Sequence, residues 1–205
     1  MSKEKVSMDP KYIIKLTVTL FLTCCVVAGA LGAINMVTEG PIADINKAKT
    51  EAAMKAVVVD ADNSYFSDAL EITADMKAAA ASAGGSVTEF YEVNDGTVAI
   101  GHALKIVASG SQGSIEMMVG LDLEGTVTGV SVVKNSETAG IGTKVADNEP
   151  NNAGVGVLDQ FVGKSVADMP LNVGSNVDAI TGATVSTKGV TAGVNAALSV
   201  AGVLG

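Results

Sequence analysis

The chain has 205 residues, which is enough for one or two domains with a buried core. Its formal net charge of −9 argues against nucleic acid as a partner, because phosphate backbones are bound by Lys- and Arg-rich surfaces. Both cysteines, Cys24 and Cys25, lie in an apolar N-terminal segment, so the rest of the chain has no disulfide framework and no Cys or His cluster for a metal.

An uncharged segment of 22 residues covers positions 16–37, after a short N-terminus at 1–15. It is long enough to cross a bilayer as a helix. A cleaved signal peptide is the alternative, since Ala28-Gly29-Ala30 resembles a cleavage site. The apolar run continues well past that site, so we favour an uncleaved transmembrane helix. The preceding lysines predict a cytoplasmic N-terminus and a domain outside the membrane. These lysines are Lys3, Lys5, Lys11 and Lys15.

Residues 38–83 are predicted to form a helical stalk and connector. Helical spacing favours one helix over 41–59, with Asp44 near its start, followed by a break at 60–63. A second, Ala-rich helix is expected over 67–81, ended by Gly84-Gly85.

Residues 84–205 are predicted to form an α+β domain with an antiparallel sheet flanked by helices. Asn94-Asp95-Gly96 is a strong hairpin signal between two alternating segments. Further strands follow on either side of a Glu124-Gly125 turn. The predicted strands cover residues 87–93, 97–107, 114–122 and 126–134. Consecutive strands with helices outside them are typical of an α+β fold.

Two apolar patterns lie in the C-terminal third of the chain. A helix or turn pair is expected over 155–169, closed by Pro170, with Phe161, Val162 and Val166 directed inward. A helix is expected over 185–203, packing across the sheet. Its inward positions are Val190, Val194, Ala197, Leu198 and Ala201.

Three residues that could have a functional role are interpreted as structural. His102, the only histidine, is interpreted as a satisfied surface or core residue and not as a general base. Met117 and Met118 fall at strand positions, where methionine is usually core. The sequence also has no dinucleotide-binding glycine motif after a strand, no P-loop and no Ser-His-Asp or Cys-His set. We therefore assign no catalytic residue and do not expect a complete enzyme.

The most specific pattern is DAITGATVST at residues 178–187. A short lead-in ends at Gly182-Ala183 and a helical pattern follows, which places Thr184 at the entry to the first turn of a helix. That turn has unpaired amides and the positive end of the helix dipole, and both favour a phosphate. The alternative is an ordinary helix start capped by threonine and serine.

This segment resembles the D-x-[IV]-[ST]-G-A-T-x-[ST] flavin-attachment signature of the FMN-binding domain family. That family includes the G subunit of the Rnf electron-transport complex and the C subunit of the sodium-pumping NADH:quinone reductase. The resemblance implies FMN joined through its phosphate to Thr184. It also implies cofactor-binding roles for the other matching positions. These are Asp178, Thr181, Gly182, Ala183 and Ser186.

A second segment, residues 110–142, is similar to the same family. Its end, Glu137-Thr138-Ala139-Gly140-Ile141-Gly142, follows the family pattern E-T-P-G-L-G with Ala139 and Ile141 as mild departures. A flavin ring needs small-residue walls and a few polar groups. The cofactor-binding residues expected here are therefore Glu137, Thr138, Gly140 and Gly142.

The resemblance implies a redox carrier whose cofactor performs the chemistry. It would be one subunit of a membrane complex that couples ferredoxin and NAD⁺ redox chemistry to Na⁺ or H⁺ translocation. Its implied partners are the other membrane subunits and a flavin transferase that attaches FMN. The C subunit of the quinone reductase is the close alternative, although the short chain favours Rnf. An anchored, non-redox binding domain outside the membrane is the alternative of another class.

Overall fold

The computed structural model describes residues 10–58, 64–151 and 153–204. Lys3, Lys5 and the predicted helix break at 60–63 lie outside these residues. The chain divides into two compact units, residues 1–45 and residues 46–205.

The first unit consists of most of one long helix, α1, which spans Pro10–Ala56. Its 18-residue window of mean hydropathy 2.2 has no buried residue, and the helix is long and apolar enough to cross a membrane. Threonine hydroxyls inside the apolar segment donate to carbonyls one turn earlier, as Thr17 does to Ile13 at 2.9 Å and Thr23 to Thr19 at 2.9 Å. Their polar groups are thereby satisfied within the helix itself, as a hydrocarbon surrounding requires.

The predicted start of a separate stalk helix near Asp44 is wrong, because α1 continues without interruption through Pro41. Pro41 lacks the amide that would bond one turn back, yet the helix retains the neighbouring bonds and tolerates this loss. The helix ends at Ala56 rather than at residue 59. Cys24 and Cys25 are free and exposed on this helix.

The second unit is built on a five-stranded antiparallel sheet in which the strands follow chain order. The hairpin predicted at Asn94-Asp95-Gly96 joins the second and third strands, and Gly96 takes a positive φ of 62° there. The strands are β1 (Ser64–Phe66), β2 (Gly85–Asp95), β3 (Val98–Ser109), β4 (Ser114–Asp122) and β5 (Val127–Asn135). The α+β prediction is confirmed, and β1 is an additional short strand that the sequence pattern did not indicate.

Helices cover both faces of the sheet. On one face lie α2 (Ala74–Ser82) and the long C-terminal helix α4 (Thr184–Leu204), which packs on β2, β3 and β4; the short helix α3 (Thr143–Ala146) follows β5. All five residues predicted on the inner side of α4 are buried there. On the other face the end of α1 buries Ala53 and Met54 against the sheet, and Val57, directly after the helix, is buried with them. The sheet is therefore a central layer with a hydrophobic core on each side.

The connector differs from its prediction. Helix α2 begins at Ala74, not at residue 67, because Thr73 caps it by accepting a bond from the Met76 amide at 3.3 Å. The preceding residues instead run beside the sheet, where the Leu70 amide bonds to the Phe90 carbonyl at 2.8 Å. Gly84 ends α2 with a φ of 87°, as predicted.

The segment predicted over 155–169 is a series of turns. It contains two single-turn 3₁₀ helices, Asp159–Phe161 and Val166–Asp168. Phe161 is fully buried, but Val162 and Val166 are exposed, so two of the three predicted inward positions are wrong. Turns have no fixed apolar period, and the helical spacing used for the prediction does not apply to them.

His102 is not satisfied as predicted. Its Nδ1 atom is buried and has no hydrogen-bond partner in the part of the chain that the structure describes. The ring lies 5.3 Å from that of Phe90, and burial lowers the pKa of His102 even though Glu92 acts in the opposite direction. Met117 and Met118 are both fully buried, as predicted, one in the core on each side of the sheet.

Candidate functional site

Thr184 is the first residue of α4, at the position that the sequence predicts. The turn before it is closed by a bond of 2.9 Å from the Ala183 amide to the Ile180 carbonyl, and Gly182 within it has a φ of 87°. That conformation favours glycine. A Cβ atom at Gly182 would meet nothing within 4 Å, so the space beside Thr184 is open. Thr184 itself is exposed.

The N-terminus of α4 is uncapped. The amides of Thr184, Val185 and Ser186 donate no hydrogen bond to any residue in the described ranges 10–58, 64–151 and 153–204. The first amide of the helix with an acceptor is that of Thr187, which bonds to the Ala183 carbonyl at 2.9 Å. The ordinary capped helix start is therefore not what is found, since no threonine or serine side chain in those ranges accepts from the first turn.

Two hydroxyls near the start of α4, those of Ser186 and Thr187, form hydrogen bonds of their own. Thr187 Oγ1 donates to the Ala183 carbonyl at 3.0 Å, and Ser186 Oγ donates to Glu137 Oε2 in a short hydrogen bond. Both side chains are buried. Open amides beside an exposed hydroxyl form a position where an anionic group is stabilised by the helix dipole and by direct hydrogen bonds.

Glu137 joins three segments at this site. Its Oε1 atom accepts from the Ser111 amide at 2.7 Å and from the Gln112 amide at 3.3 Å, while its Oε2 atom accepts from Ser186. The carboxylate therefore connects the glycine-rich loop before β4, the segment after β5 and the first turn of α4. Both of its oxygens are engaged within the protein, so its main observed role is to position the site.

Glycines allow these segments to meet. A Cβ on Gly142 would lie 2.5 Å from Glu137 Oε2 and 2.8 Å from Ser186 Oγ. A Cβ on Gly110 would clash with Glu137 Oε1, and one on Gly189 would lie 2.5 Å from the Ser109 carbonyl oxygen. A side chain at Gly189 would meet backbone and separate α4 from the loop before β4, whereas a side chain at Gly110 or Gly142 would displace the Glu137 carboxylate.

Together these segments form a cleft of about 160 Å³, which we call the attachment cleft. Ile141 and Val185 give it an apolar border, with 51% and 56% of their surfaces exposed. Its lining residues are Ser111, Glu137, Thr138, Ile141, Gly142, Gly182, Thr184, Val185 and Ser186.

The structure brings the two sequence motifs together in this cleft. Six of the ten residues expected to hold the cofactor line it: Glu137, Thr138, Gly142, Gly182, Thr184 and Ser186. Ala183 is buried directly before Thr184.

Four of the expected residues do not line the attachment cleft: Ala183, and also Asp178, Thr181 and Gly140. Asp178 is held through its backbone by Gln160, at 2.8 Å and 3.0 Å. Thr181 is exposed, and the Gly140 amide bonds to Thr143 Oγ1 at 2.9 Å. Thr181 and Gly140 lie in turns, and Asp178 lies in the segment that leads to Thr181.

Sequence reasoning did not select three of the lining residues, Ser111, Ile141 and Val185. Ser111 lies in a glycine-rich loop whose distance from α4 is set by tertiary contacts. Ile141 and Val185 lie inside the two motifs, at positions where an apolar residue is usually interpreted as core. Their exposure is the signal that only the structure supplies.

An α+β domain with an exposed threonine at the open end of a long helix, beside an apolar-bordered cleft, combines a position for an anionic group with an adjoining apolar surface. The FMN-binding domain family matches residues 110–199, which include both motifs.

Similarity to characterised proteins extends over nearly the whole chain. The chain is 31% identical, over 97% of its length and 96% of the relative's, to the G subunit of the Na⁺-translocating ferredoxin:NAD⁺ oxidoreductase complex of Acetobacterium woodii. It is 28% identical, over 93% and 95% of the two lengths, to the G subunit of the ion-translocating oxidoreductase complex of Methanosarcina acetivorans. It is 24% identical, over 97% and 95%, to the G subunit of the proton-translocating ferredoxin:NAD⁺ oxidoreductase complex of Clostridium ljungdahlii. The chain belongs to the family of G subunits of ion-translocating oxidoreductase complexes, and the family predicted from the motifs is confirmed.

The residues present suit FMN. The three open amides of α4 match an anionic phosphate, and the space beside Gly182 leaves room next to Thr184. The exposed apolar surfaces of Ile141 and Val185 match a flat, largely apolar ring. Among the described residues, no group of three or more His, Cys, Asp or Glu could hold a metal ion.

Proposed function

We propose that this protein is a membrane-anchored electron-transfer subunit that carries FMN through a phosphoester bond to Thr184. It acts within an Rnf-type ferredoxin:NAD⁺ oxidoreductase complex that couples electron transfer to Na⁺ or H⁺ translocation. The observation that supports this most directly is the exposed Thr184 hydroxyl at the uncapped end of α4. Membership of the G-subunit family supports the role in the complex.

Each part of the site has a physical role in this proposal. The amides of Thr184, Val185 and Ser186 hold the phosphate, aided by the dipole of a helix of 21 residues. Ile141 and Val185 offer apolar surfaces for the ring. Bound FMN would supply the capacity to accept and release electrons. Glu137 holds the two loops and the first turn of α4 together through its hydrogen bonds.

Covalent attachment suits a domain on the extracytoplasmic side, where lost FMN could not easily be regained. In the proposed topology, α1 spans the cell membrane, the N-terminus is cytoplasmic and the FMN domain lies outside. A separate flavin transferase forms the bond. Relative to free FMN and protein, the Thr184 oxygen becomes esterified to the phosphate with the net loss of one water.

The experiment compares Thr184→Ala with Thr97→Ala, which removes an exposed threonine in the turn between β2 and β3, outside both motifs and the attachment cleft. Each protein is produced with a working flavin transferase and examined denatured, by in-gel fluorescence and peptide mass spectrometry. We expect the wild type and Thr97→Ala to fluoresce and to carry the mass of FMN less water on Thr184. Thr184→Ala should fold and be dark.

Flavin retained through denaturation by Thr184→Ala would disprove the attachment site. An unmodified Thr184 in the wild type, despite an active transferase, would instead favour an anchored, non-redox binding domain.

A further inference from the structure

Lys188 is the only charged residue in α4, whose sequence is otherwise composed of apolar, glycine, hydroxyl and amide residues. It lies four positions after Thr184, and both side chains are exposed. Inward positions such as Val190 and Val194 are fully buried. A cation at this one place on a long, neutral helix requires an explanation beyond solubility.

Helix geometry directs Lys188 towards Thr184. Residues at i and i+4 are neighbours on a helix surface, with Cβ atoms about 5–6 Å apart. The Cα–Cβ bonds of a helix tilt towards its N-terminus, so the side chain of the later residue extends over the preceding turn. The flexible lysine stem therefore brings its ammonium group within reach of a substituent on the Thr184 oxygen.

Lys188 has no competing partner among the residues that the structure describes. It forms no ion pair or hydrogen bond through its side chain with any residue in the described part of the chain. Lys188 does not line the attachment cleft itself but a separate groove, whose other residues are all neutral and include Asn172, Thr191 and Asn195. The Glu137 carboxylate of the attachment cleft already accepts from Ser111, Gln112 and Ser186.

We infer that the Lys188 ammonium binds the phosphate of the FMN carried by Thr184. This inference rests on the proposed function. A phosphate esterified both to FMN and to Thr184 keeps one negative charge, and one ammonium group neutralises it. The chain has a net charge of −9, and Glu137 adds a negative charge to the attachment cleft, so the anionic flavin is repelled at long range. Lys188 offsets this repulsion where the bond forms and holds the diester afterwards.

The test uses the full chain produced with its flavin transferase. Lys188→Gln removes the charge, Lys188→Arg retains it, and Lys77→Gln removes an exposed lysine from α2 as the matched control. Attached flavin is followed over time by in-gel fluorescence and intact mass. We expect attachment to Lys188→Gln to be about fivefold slower, the upper range for an exposed ion pair. Lys188→Arg and Lys77→Gln should stay close to the wild-type rate.

Two further measurements do not depend on redox activity. Raising the salt concentration should slow attachment to the wild type more than to Lys188→Gln, because salt screens the attraction between the Lys188 ammonium and the phosphate, which the variant lacks. In fully flavinylated protein, the ³¹P resonance of the diester should shift between the wild type and Lys188→Gln and should be unchanged in Lys77→Gln.

If Lys188→Gln matches the wild type in rate, salt dependence and ³¹P shift, the inference is wrong, while the loss of flavin in Thr184→Ala would leave the proposed function intact. If Thr184→Ala itself retains flavin, the proposed function fails and takes this inference with it. A slow Lys188→Arg variant with normal circular dichroism would also overturn the inference, because it would show that charge is not what matters.

Discussion

Removing the Glu137 carboxylate should loosen the whole attachment cleft. Glu137→Ala eliminates the hydrogen bonds from Ser111, Gln112 and Ser186. Hydrogen bonds to charged groups contribute about 1.5–3 kcal/mol each, but water can reach the two loop amides once the carboxylate is gone. We therefore expect a loss of about 2–4 kcal/mol in the free energy of unfolding. For a domain of this size that corresponds to a fall of roughly 5–15 °C in melting temperature.

The assay is thermal unfolding of the detergent-solubilised full chain, followed by circular dichroism. Glu124→Ala is the matched control, because Glu124 is exposed and no hydrogen bond to its side chain is present in the described ranges. Glu137→Gln should be milder than Glu137→Ala, since an amide oxygen still accepts from the Ser111 amide. If Glu137→Ala melts within about 2 °C of Glu124→Ala, the carboxylate does not join the loops to α4 and the reasoning fails.

The link between Glu137 and Ser186 can be measured separately by a double-mutant cycle. Ser186→Ala removes the buried donor, and the double variant with Glu137→Ala should be less destabilised than the sum of the two single variants. We expect a coupling energy of about 1–2 kcal/mol. Additive effects would show that the short hydrogen bond contributes nothing to the position of the helix.

Two further predictions concern the rest of the domain. Gly120→Ala should destabilise it by about 1–3 kcal/mol, because the new Cβ would clash with the Val57 carbonyl oxygen. In Gly202→Ala the new Cβ would lie 3.8 Å from its nearest neighbours, the two methyl carbons of Val166, so this variant should be neutral or slightly stabilised when both variants are compared by urea unfolding. Comparable losses in both variants would contradict the packing argument. Burial lowers the pKa of His102 below its ordinary value of 6.5. As the pH falls, the imidazole therefore takes up a proton in the unfolded chain before it does so in the folded domain. The wild type should lose stability as the pH falls below 6.5. His102→Phe should lack that part of the pH dependence, and equal slopes in urea unfolding between about pH 5 and 8 would refute it.

Local chemistry explains the elements that were predicted well. The hairpin at Asn94-Asp95-Gly96 needs a positive φ that glycine supplies, and the observed strands begin and end within two residues of those expected there. Helix α4 has a regular apolar period over its whole length, so its extent and its buried face follow from the pattern. The predicted start of α2 at residue 67 lies N-terminal to the observed start at Ala74, because Ala-rich composition does not mark where a helix begins, whereas the Thr73 cap does.

In the site, too, some residues can be predicted from local sequence and others cannot. Thr184 could be selected from ten consecutive residues, because the signals for a turn and a helix start are local. Ile141 and Val185 could not be selected as cleft residues from the sequence, since an apolar residue in a motif gives no indication of whether neighbouring segments cover it. The unpaired Nδ1 atom of His102 could not be predicted either, because its hydrogen-bond partners would come from residues distant in the chain.

The sequence by itself determined the apolar N-terminal helix, the order of the main strands, the family and the placement of Thr184 at a helix start. Each of these depends on spacing or motif over a few adjacent residues. Only the tertiary structure decided that Glu137 reaches Ser186 across 49 positions of the chain, that the first amides of α4 stay open, and that two apolar side chains border the cleft. Such features arise when distant segments pack together, and packing is set by three-dimensional contacts that no local pattern encodes.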